Sequence, residues 1–148
     1  MGLYMGGVSS FTSQVKEDVY DSLRDYLEGN EKLRIPSTVT SFRRRCFCNC
    51  EFKSFVIPEG IITLEHSCFS RCPNLEEITI PNTVTTIGRS CFEETPLKEV
   101  YIPESVTSID DGAFEMCEKL TKITINKPTD SISGAPWGAY NATVEWIG

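Results

Sequence analysis

The feature that most constrains this chain is a recurring dipeptide. Ile-Pro stands at Ile35, Ile57, Ile80 and Ile102, and Ile125 with Asn126 continues the series, at spacings of 22, 23, 22 and 23 residues. A period of this length marks a solenoid, in which a unit too small to bury its own apolar face buries it against the next. Aligned on the isoleucine, the units read "IPSTVTSFRRRCFCNCEFKSFV", "IPEGIITLEHSCFSRCPNLEEIT", "IPNTVTTIGRSCFEETPLKEVY" and "IPESVTSIDDGAFEMCEKLTKIT", and a fifth begins in the same register.

The aligned columns show which side chains face inward. Val39, Ile61, Val84 and Val106 stand four places after the isoleucine, and Phe42, Leu64, Ile87 and Ile109 seven places after. Phe47, Phe69, Phe92 and Phe114 form an unbroken column at place 12. Phe52, Leu75, Leu97 and Leu120 align, as do Phe55, Ile78, Val100 and Ile123, if the shorter units lose one residue just after Cys50 and Thr95. The segments "LEEITI", "LKEVYI" and "LTKITI" alternate as short strands, each closed by a proline or asparagine. The "VTxI" pieces suit a second extended segment, and "SCFSRC" or "GAFEMC" suits a tight helical turn carrying phenylalanine inward.

With "NLEEITIPNTVTTIGRSCF" and "LTKITI", the chain resembles the BspA-type leucine-rich repeat, over about residues 33–126. The resemblance implies an α/β-type repeat solenoid: a curved right-handed leucine-rich coil with a parallel β-sheet on its concave side. It also implies the surface or secreted proteins of host-associated bacteria and some protozoa, and modules that bind proteins or mediate adhesion without catalytic residues. The expected organisation is an N-terminal segment with a capping helix (1–34), about four repeats within 35–126 (35–56, 57–79, 80–101 and 102–124), and a C-terminal β/aromatic cap (127–148).

Composition narrows the function. A chain of 148 residues with 40% hydrophobic and 24% charged residues is a folded domain, and its net charge of −7 opposes nucleic acid as a partner. No apolar run approaches the roughly 20 residues that span a bilayer. The start "MGLYMGGVSSFTS" lacks the pattern of a signal peptide, so a cytosolic protein, a mature form and a fragment stay open beside the extracellular or cell-surface location that the resemblance implies.

"RRRCFCNC" at 43–50 invites a metal or redox reading, which the register removes. Cys46, Cys68 and Cys91 share place 11 with Ala113, and Cys50, Cys72 and Cys117 share place 15 with Thr95, so only Cys48 stands outside the two columns. Such positions call for small, buried side chains, and buried free cysteine behaves as a small hydrophobe. Neighbouring rungs lie about 4.8 Å apart, within reach of a disulfide, but equivalent side chains point in parallel and seven is odd, which favours free thiols. The single histidine, His66, stands in an outer loop beside an inward Cys68, a poor arrangement for a Cys-His nucleophile. The expectation is no catalytic residue, no metal and no cofactor.

Both ends depart from the repeat. Val15, Val19, Leu23, Tyr26 and Leu27 share one face of a helix over 12–28, with Thr12 or Ser13 as N-cap and Gly29 as stop, which either covers the first repeat or serves as a dimerisation helix. In the tail, "ATVEWI" alternates as a final strand, and Trp137 and Trp146 either seal the last coil or form an aromatic platform for carbohydrate. Asn141-Ala142-Thr143 is a glycosylation sequon, relevant only in a eukaryotic secretory pathway.

A solenoid binds through the outward columns of its sheet. The expected partner-binding face is Val56, Thr79, Tyr101 and Thr124, flanked by Ser54, Glu77, Glu99 and Lys122, with Lys53, Glu76, Lys98 and Thr121 beyond. Tyr101 is the expected anchor. Arg43 to Arg45 are either solvated or a second contact for an acidic partner. The expected function is a noncatalytic protein-binding or adhesion module whose partner is a host surface or matrix protein. The alternative is a structural, self-associating segment of a larger surface or phage-appendage assembly.

Overall fold

The computed structural model describes residues 39–148, so the helix expected over 12–28 lies outside the described residues. Within them the chain winds as a parallel-sheet β-solenoid of about five coils, one more than the four repeats expected. The described residues contain no helix, which corrects the α/β expectation for this part of the chain.

Each repeating coil contributes two strands. The "VTxI" pieces supply β1 (Ser41–Phe42), β3 (Thr63–Leu64), β5 (Thr86–Ile87) and β7 (Ser108–Ile109), parallel and in the order β1-β3-β5-β7. The second series is β2 (Ser54–Val56), β4 (Glu77–Thr79), β6 (Glu99–Ile102) and β8 (Lys122–Ile125), and the tail adds β9 (Thr143–Trp146). Here β2 pairs with β4, and β6-β8-β9 form a separate sheet. The break between β4 and β6 falls where the third unit is one residue short. Asn74 of the second coil donates from its side chain to the carbonyl of Glu51 at 3.2 Å, and Asn141 to that of Glu118 at 3.4 Å. The third coil runs Thr95-Pro96-Leu97 and has no residue at the asparagine place.

The expected helical turn is replaced by a run of turns containing two left-handed residues per coil. Arg45, Ser67, Ser90 and Gly112 at place 10 have φ of 59°, 56°, 54° and 68°, and Asn49, Arg71, Glu94 and Met116 at place 14 have φ of 63°, 57°, 54° and 58°. A helix cannot contain such residues. What holds them is the neighbouring coil: the N–H groups of Arg45, Phe47 and Asn49 donate to the carbonyls of His66, Cys68 and Ser70 at 2.8–3.0 Å, and those of Ser67, Phe69 and Arg71 to Arg89, Cys91 and Glu93 at 2.8–2.9 Å.

The core is the inward set of columns, with Phe47, Phe69, Phe92 and Phe114 at its centre. Successive rings stack at 5.3, 5.5 and 5.5 Å with interplanar angles of 16°, 9° and 8°. In the first coil Phe42, Phe52 and Phe55 surround Phe47, so aromatic packing there replaces the aliphatic columns of later coils. Beyond Phe114 the tail supplies Trp137, only 1% exposed, whose indole N–H donates to the Ser133 carbonyl at 2.8 Å.

All seven cysteines are buried free thiols. The two columns differ in a way their smallness does not reveal. At place 15 the Cys72 thiol donates to the Phe47 carbonyl at 3.1 Å and the Cys117 thiol to that of Phe92 at 3.0 Å, while the Thr95 hydroxyl donates to Phe92 at 2.9 Å. Place 11 also accepts Ala113, which has no polar atom on its side chain, so no side-chain hydrogen bond is required there. Burial pushes the thiols of Cys46, Cys50, Cys68, Cys91 and Cys117 up, and that of Cys72 up to about 12.

Three outcomes are expected. Phe92→Ala removes the ring between two stacked neighbours and should lower unfolding free energy by about 3–5 kcal/mol in urea titration. Cys72→Ala, which also loses a hydrogen bond, should cost about 1 kcal/mol more than Cys91→Ala. Because the folded thiols resist ionisation, their contribution is complete below about pH 8.5 and is lost as pH rises and unfolded thiols ionise. The urea midpoint should therefore fall progressively above that pH, and less steeply in Cys91→Ala.

Candidate protein-binding face

The second strand series presents one side chain in two to solvent. In β2, β4 and β6, Phe55, Ile78 and Val100 turn inward while Ser54, Val56, Glu77, Thr79, Glu99 and Tyr101 are exposed. In β8, Lys122 and Thr124 are half-buried on the same face. Register aligns Ser54 with Glu77 and Val56 with Thr79, and separately Glu99 with Lys122 and Tyr101 with Thr124. The eight expected residues thus form two blocks, divided by the break between β4 and β6.

The tail extends the second block in a way the repeat spacing hides. Thr143 pairs with Lys122 and Glu145 with Thr124, so both columns gain a rung after 21 residues rather than 23. Alternation within "ATVEWI" is the one sequence signal for it. Glu145 changes the electrostatics: its carboxylate lies 2.8 Å from the Lys122 ammonium. That hydrogen bond and charge, with Glu99 adding, hold the Lys122 ammonium above its ordinary value.

Of the outer charge ladder, Lys98 and Glu76 pair at 3.3 Å across the break, tying β6 to β4 where the backbone does not. Exposed pairs of this kind stabilise by a few tenths of a kcal/mol. Among the described residues Glu77 and Glu99 form no ion pair, and they occupy one column on either side of the break. Val56 at 69% exposure and Tyr101 at 47% are the large apolar side chains of the same face. The chemistry on offer is a narrow apolar and aromatic strip edged by the carboxylates of Glu77 and Glu99, with Lys122 beside Glu99.

His66 Nδ1 lies 2.8 Å from the hydroxyl of Ser67, and Cys68 is wholly buried with its thiol protonated. The left-handed backbone of Ser67 recurs at Arg45 and Ser90, so it belongs to the coil and not to a nucleophile. Among the described residues no group of three histidine, cysteine or acidic side chains is placed to hold a metal, and no helix is long and apolar enough to cross a membrane.

Comparison with known proteins agrees with this architecture. Residues 25–137 match the BspA type leucine rich repeat region, in six copies. Among solved structures, the chain is similar to the pneumococcal vaccine antigen PcpA, at 23% identity and a TM-score of 0.63, covering 76% of this chain and 29% of that one. It is similar to a leucine-rich repeat protein from Bacteroides ovatus at 23% identity and a TM-score of 0.61, covering 76% and 30%. The chain therefore spans less than a third of the length of either structure, and the likeness concerns the fold. Comparison with curated proteins finds no significant match. A repeat match over most of the chain, with the stacked coils that those repeats require, makes this chain a member of the BspA-type leucine-rich repeat family.

Proposed function

We propose that the protein is a noncatalytic binding module that recognises another protein through the outward face of β2, β4, β6, β8 and β9. The observation that carries this reading is the presence of exposed Val56 and Tyr101 on the same face as the carboxylates of Glu77 and Glu99, of which Glu99 lies beside Lys122. A structural rung needs no exposed aromatic ring. Tyrosine is a frequent anchor in interfaces, and carboxylates edging an apolar strip select a partner with basic side chains beside its own apolar contact. Proteins of extracellular matrices and host-cell surfaces are the proposed class, and adhesion at a bacterial cell surface the proposed setting.

A second reading, a structural segment of a larger surface or phage-appendage assembly, draws on the outer edge of β9. That strand ends its sheet, and Val144 and Trp146, which occupy inward columns, stay half-buried there.

Binding of the purified protein to an array of matrix proteins, host-surface proteins and glycans separates the two. A specific protein ligand should be retained by the wild type and weakened at least tenfold by Tyr101→Ala with Glu77→Lys. Retention unchanged in the double variant would overturn the face assignment, and concentration-dependent assembly in light scattering without any ligand would favour the second reading.

A further inference from the structure

The sheet β1-β3-β5-β7 stops one rung before the solenoid does. In its interior, backbone carbonyls at places 5 and 7 each receive an N–H from the following coil. The Thr40 carbonyl accepts from Ile62 at 2.7 Å, Ile62 from Thr85 and Thr85 from Thr107 at 2.8 Å, Leu64 from Gly88 at 2.7 Å, and Ile87 from Asp110 at 2.9 Å. The equivalent carbonyls of the fourth coil, on Thr107 and Ile109, receive no donor among the described residues. The fifth coil departs from the repeat: its proline, Pro128, stands at place 3 rather than place 1, so the turn that the N–H groups of Ile61, Val84 and Val106 close onto Pro58, Pro81 and Pro103 is closed there by Ser131 onto Pro128 at 3.1 Å, two places late, and Asp130 at place 5 has φ of 60°. No fifth strand forms beside β7.

A cavity of about 460 Å³ occupies the place where that strand would run, between Thr107–Asp111 and the segment from Ile132 to Gly134. Ile109 and Ile132 are buried at its wall, while the carboxylates of Asp110 and Asp111 are exposed at its rim, with Arg89 as the single basic lining residue. Backbone acceptors in a row, an apolar wall and a net negative rim are complementary to one kind of guest.

We propose that this slot takes an extended peptide segment of a partner protein, bearing a lysine or arginine, which adds to β7 as a fifth parallel strand. Two of its N–H groups would meet the Thr107 and Ile109 carbonyls, an apolar side chain would rest on Ile109 and Ile132, and its basic side chain would reach Asp110 or Asp111. Addition of a strand to an open sheet edge is an established mode of peptide recognition, with affinity from the backbone and selectivity from alternate side chains. The site lies on a different sheet from the face carrying Tyr101 and is independent of it.

The test uses the full chain and a capped, fluorescently labelled peptide of six residues alternating valine with lysine, read by anisotropy. Expected are saturable binding, loss of about tenfold in affinity in Asp110→Asn with Asp111→Asn, and loss of binding in Ser133→Trp, which fills the slot from an exposed position. The peptide N-methylated at alternate amides should not bind, because it lacks the donors. Tyr101→Ala with Glu77→Lys should bind the peptide as the wild type does, so the slot and the face can fail separately. Equal binding of the N-methylated peptide, indifference to Ser133→Trp, or no binding at millimolar peptide would overturn the proposal.

Discussion

Everything in this molecule depends on the chain returning to the same place after each turn, so that N–H groups of one coil meet carbonyls of the next. Where it returns in register, consequences accumulate together. Phe47, Phe69, Phe92 and Phe114 stack nearly parallel, the inward strand residues align, and the left-handed residues Arg45, Asn49, Ser67, Arg71 and Glu94 are held by hydrogen bonds to the neighbouring coil. Single residues at places 10 and 14 are ordinary turn formers, and Arg45, Glu94 and Met116 gain little from that backbone by themselves. The conformation belongs to the stack.

That dependence accounts for what could be read from the sequence. The columns were legible because a period of 22 or 23 forces equivalent residues into equivalent surroundings, and an unbroken phenylalanine column fits little besides a stacked core. The outward residues Ser54, Val56, Glu77, Thr79, Glu99, Tyr101, Lys122 and Thr124 followed from strand alternation. The turn conformation was not legible, since Cys-Phe-Ser-Arg suits a helical turn as well as the one observed, and the choice is made by hydrogen bonds to another coil. The fifth coil was obscured because Thr143 follows Lys122 after only 21 residues, and with it Glu145 as the partner of Lys122. The donor role at place 15 had a faint trace: Thr95 stands there, whereas Ala113 stands at place 11.

The division of labour between the columns also separates stability from recognition. The cysteines, which first suggest reactivity, are spent on packing and on second hydrogen bonds to phenylalanine carbonyls. What distinguishes this chain from a plain stack of repeats lies on its surface and at its irregular rungs: the residue missing after Thr95, the aside taken at Pro128, and the short return to β9. The first two leave polar groups with fewer neighbours than the repeat would supply, while the return to β9 gives Lys122 a carboxylate partner in Glu145.

The missing residue after Thr95 has a mechanical consequence. On one side of the solenoid the backbone ladder runs without interruption from β1 to β7, whereas on the other it is broken between β4 and β6 and bridged by the Lys98–Glu76 contact. Stiffness is therefore directional: flexure that parts the second and third coils has one compliant side, and that side is the one on which Glu77 faces Glu99. Strain imposed along the long axis would widen the strip beside Tyr101 before it disturbed the phenylalanine stack, which makes the molecule's surface geometry sensitive to tension.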